Sequence, residues 1–160
     1  MSGIFRHLRG ALVFAGIAIN TVAWFVPLLI LAVFKLLVPI GQVRAVLNRG
    51  LMGIGEGWVS CNTALIRGAG STDWRINGAE DLRRDGWYLV LANHQTWVDI
   101  LVLQAVLNRR IPFLKFFIKH QLIWFPVMGF AWWAMDMPFM KRYSAAYLSR
   151  IPHMKGKDFE

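Results

Sequence analysis

The sequence predicts an α/β fold in which an N-terminal membrane helix or helix pair is followed by a largely parallel sheet flanked by helices. Three observations predict it. Residues 11–34 run for 24 positions without a charge. Beyond residue 70, short apolar runs alternate with stretches of helical spacing, the pattern of strands joined by helical crossovers. Between them lies a five-residue apolar and aromatic run, 87–91, bounded by Asp85-Gly86 and Asn93, which reads as a buried strand leading into a histidine.

Composition agrees with a membrane setting. Of 160 residues, 56% are hydrophobic, with eleven Phe and eight Trp, and 18 Lys and Arg stand against nine Asp and Glu for a net charge of +9. Basic and apolar together fit a lipid surface better than nucleic acid, for which the sequence holds no helix-turn-helix, zinc finger or RNA-binding signature. A lone Cys61 excludes an intramolecular disulfide framework.

The uncharged run 11–34 is long enough to cross a bilayer, which takes about 20 apolar residues. Only Asn20 and Thr21 are distinctly polar within it, and Pro27 predicts either one bent span or two short helices in one leaflet. From 42 to 67, Val43, Leu47, Leu51, Ile54, Trp58, Cys61 and Leu65 recur at steps of three and four, which predicts an amphipathic helix with Arg44, Asn48, Arg49, Glu56, Asn62 and Thr63 on its other side. Gly68-Ala69-Gly70 ends it. Residues 74–77 predict a short strand, 87–91 the central strand, and Ile100, Leu101, Leu103 and Val106 a helix. Then come a strand at 111–115, a helix at 116–123, breaks at Pro126 and Gly129, a strand at 137–140 and a last helical turn or two at 144–150.

The candidate chemistry sits at the corner after the central strand, where His94 precedes Asp99 by five positions. On one unbroken helix residues five apart lie roughly 140° off a common face, so the two side chains meet only if His94 precedes the helix. With Thr96 as the cap, Asp99 falls in the first turn and reaches back. A carboxylate bonded to one ring nitrogen fixes the tautomer and leaves the other nitrogen as a base. His-x4-Asp alone is expected by chance roughly 0.15 times in such a chain, and a capping or core histidine is the bland reading. A second copy, His153 and Asp158, lacks a preceding strand and reads as a solvated tail. No Gly-x-Ser-x-Gly elbow, His-Glu-x-x-His or zinc-type cysteine pair is present. Between 109 and 157, nine basic residues and eleven aromatics face one acid, Asp136, a composition suited to a headgroup interface or a phosphate-bearing acyl carrier.

Asn93-His94 with Asp99, after an apolar strand, resembles the first signature block of the glycerolipid acyltransferases that include 1-acylglycerol-3-phosphate acyltransferase. Phe139-Met140-Lys141-Arg142 is similar to the second block of that family, and Lys115, Lys119, Leu122, Pro126 and Gly129 resemble the stretch between. The resemblance implies that His94 is a general base on an acceptor hydroxyl, that Asp99 orients it with Asn93 in support, and that Lys115, Lys119, Lys141 and Arg142 lie near the acceptor phosphate. It implies no metal and no cofactor. The acyl donor would be acyl-CoA or an acyl carrier protein, the acceptor a lysophospholipid, and the setting a bacterial inner membrane with the catalytic part on the cytoplasmic side. Later family blocks, including a Glu-Gly-Thr-Arg type run, would fall after residue 160. The expectation is therefore a partial sheet in the N-terminal part of a longer enzyme, weakly active alone. The division it predicts is a membrane anchor at 1–41, an amphipathic helix at 42–70 and the acyltransferase α/β part at 71–160. The alternative is a noncatalytic membrane interaction protein that keeps the anchor and the basic aromatic face.

Overall fold

The computed structural model describes residues 3–70, 74–93, 95–141, 143 and 145–151. The chain is mostly helical, with a long apolar N-terminal helix and a small parallel two-stranded sheet flanked by helices. It divides into two compact units, residues 1–114 and 115–160.

The first unit begins with α1, Gly3–Leu37, an unbroken helix of 35 residues that contains Pro27. The alternative of two short helices is thereby set aside. At 1.5 Å per residue α1 is about 52 Å long. Residues 38–40 turn the chain into α2, Gly41–Gly68, which returns antiparallel along α1. Gly16 faces Leu65, Trp24 lies on Gly57, and Leu31 lies on Gly50, so small residues let the helices approach. Leu28, Ala32, Leu51 and Val59 are buried. The two polar residues of α1 are bonded across this seam. Asn20 Nδ2 donates to Trp58 O at 3.1 Å and to Asn62 Oδ1 at 2.8 Å, and Trp58 Nε1 donates to Thr21 Oγ1 at 3.0 Å.

This packing corrects the expected sidedness of α2. Glu56 and Asn62, expected on its polar side, are buried, whereas Cys61 of the expected apolar stripe is exposed. The reason is pairing: Asn62 meets Asn20 of α1, and Glu56 meets arginines from the chain beyond α2. A polar group is buried at low cost only with such partners.

Residues 74–77 and 87–91 are not strands. Both lie in irregular backbone, and Trp87, Leu89 and Leu91 are 100%, 79% and 86% exposed. Strand propensity becomes a strand only against a neighbour that supplies hydrogen bonds and a packing face, and among the described residues 87–91 has none. The chain then enters α3, Trp97–Leu107, as its spacing predicts.

The second unit is built on β1, Ile118–Lys119, and β2, Phe139–Met140, paired in parallel with Ile118 opposite Phe139 and Lys119 opposite Met140. Between them run a 3₁₀ segment, His120–Trp124, and α4, Met128–Ala134. The strand expected at 111–115 is displaced to 118–119, and the helix expected at 116–123 is replaced by that strand and the 3₁₀ segment. Pairing decides the position: Ile118 N donates to Pro138 O at 2.9 Å, and buried Ile118 joins Ala131, Ala134, Met135 and Met137 in the core. The break expected at Gly129 is not there: Gly129 stands in the first turn of α4, where a Cβ would fall on the backbone carbonyl of Ile123. The expected final helix is present as α5, Ala145–Arg150.

Candidate active site

The turn into α3 is held by its own side chains. Thr96 is the N-cap residue in extended conformation, and Asp99 stands three positions on, completing a capping box. Asp99 Oδ2 accepts from the backbone N–H of Gln95 at 2.7 Å and of Thr96 at 2.6 Å, while Thr96 Oγ1 donates to Oδ1 at 3.1 Å. These bonds satisfy amides that a helix start leaves without partners, and the negative charge sits at the positive end of the helix. The side chain of Asp99 therefore turns back toward the segment before the helix, as the spacing argument requires. The Gln95 and Thr96 amides, which could otherwise have faced a reacting oxyanion, are engaged by Asp99.

Of the other expected site residues, His94 and Arg142 lie outside the described residues, as do His153 and Asp158. Asn93 is exposed in the irregular stretch before the corner. In the second unit, Lys119 is the last residue of β1 and Lys141 directly follows β2, so the parallel register brings both to the carboxyl edge of the sheet. Ligands of parallel sheets bind at that edge. Lys115, also exposed, precedes β1 and lies toward the opposite, amino end. Among the described residues no three His, Cys, Asp or Glu side chains gather to hold a metal. Sequence reasoning missed the ties that fasten the ends of the α3 segment to α2, because Glu56 reads in sequence as one more residue of a solvated helix face.

The family model described as Acyltransferase matches residues 73–157, just over half the chain and including both signature-like blocks. The chain belongs to the acyltransferase family. That agrees with the resemblance to the glycerolipid acyltransferases and gives the chain a general acyl-transfer function. No curated protein and no solved structure matches it.

Proposed function

We propose that the protein is a membrane-anchored O-acyltransferase that moves a fatty acyl group from a thioester to the hydroxyl of a lysophospholipid such as 1-acylglycerol-3-phosphate. The observation that carries the proposal is the placement of Asp99 inside the family match. It caps α3 and turns its carboxylate onto the residues that immediately follow His94. In this reading His94 takes the acceptor hydroxyl proton as the oxygen attacks the thioester carbonyl. Asp99 holds the ring in the required tautomer and stabilises the imidazolium that forms. When the tetrahedral intermediate collapses, the carbon–sulfur bond breaks and the imidazolium returns the proton to the departing thiolate. The products are an ester and a free thiol, of coenzyme A or of an acyl carrier protein. Lys119 and Lys141, with Arg142, would receive the acceptor phosphate, for which ammonium and guanidinium groups are suited, and Lys115, toward the other end of β1, is left out of that cluster.

The experiment is transfer of a labelled acyl group from acyl-CoA or acyl carrier protein, in detergent micelles, to lysophosphatidic acid, lysophosphatidylcholine or glycerol 3-phosphate. Labelled phosphatidic acid as the leading product supports the proposal. Transfer to no lysophospholipid contradicts it.

α1 supplies the anchor in this proposal. Its most apolar stretch has a mean hydropathy of 2.3, only 11% of that stretch is buried within the protein, and Phe14 and Ile19 are 75% and 71% exposed. An apolar surface of this extent is stable in hydrocarbon and costly in water. The protein is accordingly expected to stay in the membrane pellet through high-salt and carbonate washes, since apolar burial is indifferent to ionic strength. Release by salt alone would remove the anchor from the account. By the family resemblance, the membrane is a bacterial inner membrane and the catalytic part is cytoplasmic.

A further inference from the structure

We propose that Glu56 is a positioning residue for the His94–Asp99 corner, acting from α2 through Arg84 and Arg109. The proposal rests on the catalytic reading of that corner given above. The segment that carries the corner has little apolar hold of its own. Residues 87–93 are irregular and, apart from half-buried Val90, exposed, and α3 contains no fully buried side chain. Its two ends, however, converge on one carboxylate. Upstream, Arg84 donates through one terminal nitrogen to both Glu56 oxygens at 2.7 Å. Downstream, Arg109 Nε lies 3.8 Å from Glu56 Oε2. Asn108, the residue that ends α3, donates to the Glu56 carbonyl at 3.2 Å and to Ser60 Oγ at 2.9 Å, while Ser60 Oγ donates to the same carbonyl at 2.8 Å. Arg84 stands ten residues before His94, and Arg109 ten residues after Asp99. The Glu56 side chain thus brackets the corner evenly.

Burial gives these ties their weight. The Glu56 side chain is 8% exposed, whereas those of Arg84 and Arg109 are 60% and 59% exposed. The arginines reach into a site whose anion is fixed by α2, which is itself packed along α1. A buried carboxylate hydrogen-bonded by one guanidinium and ion-paired at longer range with a second holds position more firmly than an exposed pair such as Arg83–Asp85, where both side chains are more than 70% exposed. α2 therefore serves as the rail against which α3 and Asp99 are aligned.

The test is Glu56→Gln, which keeps the shape and removes the charge, in the full chain in detergent. Two readouts are used: amide hydrogen exchange by segment and acyl-transfer kinetics. The expected result is faster exchange in α3 with α1 and α2 unchanged, and a kcat about tenfold lower with both KM values within about twofold, since misplacement of a base costs rate more than binding. Glu56→Asp should recover part of both losses. Combining Glu56→Gln with Arg84→Gln should add little to Glu56→Gln alone, as expected for two groups acting as one unit. Asp85→Asn, which breaks only the exposed pair, should change neither readout. Unchanged α3 exchange in Glu56→Gln overturns the proposal, as does equal loosening of α3 and the α1–α2 hairpin. If acyl transfer proves independent of His94, the catalytic reading fails, and the exchange data still decide whether Glu56 holds α3.

Discussion

Asp99→Asn is expected to lower kcat by roughly 10²-fold or more while leaving α3 folded. The observed capping function and the proposed catalytic function of this side chain separate in that variant. As a cap, Asp99 needs an oxygen to accept the Gln95 and Thr96 amides, and an asparagine carbonyl still offers one. As the partner of a base, it needs a negative charge that fixes the tautomer and balances the imidazolium, which asparagine lacks. Asp99→Ala removes both functions, so it should lose activity to the same degree and also destabilise the helix start by about 1 kcal/mol. Thermal unfolding followed alongside kcat for the two variants checks the separation. Full activity in Asp99→Asn would reduce Asp99 to a helix cap and nothing more.

What the sequence made legible was what local chemistry decides. Thr96 and Asp99 are a cap and its third residue whatever lies elsewhere in the chain, so the placement of Asp99 in the first turn followed from spacing alone. The long apolar run became one helix, and the three-and-four stepping between 42 and 67 became another. Features that depend on distant partners were not legible. Five apolar residues at 87–91 are compatible with a central strand, yet pairing must come from elsewhere, and none of the described residues supplies it. The stretch from Ile111 to Ile118 is apolar almost throughout, so its pattern does not say which two residues will pair. The contact of Ile118 with the segment at Pro138 and Phe139 makes that choice.

Polar residues show the same limit. Asn20 and Thr21 look like interruptions of an apolar run, and Glu56 looks like a member of a wet helix face. Their meaning lies in partners 28 to 42 residues away: Asn62, Trp58 and Arg84. The candidate acceptor lysines come from the resemblance alone. The parallel register then aligns Lys119 and Lys141 at one edge of the sheet and sets Lys115 toward the other end.

The most direct measurement of the central claim compares acyl transfer from a labelled acyl thioester by the unaltered chain and by His94→Ala, side by side in detergent micelles with lysophosphatidic acid. A hydroxyl is a poor nucleophile near neutral pH, and taking its proton during attack is worth roughly 10² to 10⁴ in rate. The account predicts turnover by the unaltered chain, however slow, and its loss by about that factor in His94→Ala, with membrane attachment retained. His153→Ala, in the second His-x4-Asp copy, should transfer at the unaltered rate. Equal turnover with and without the His94 imidazole would contradict the account.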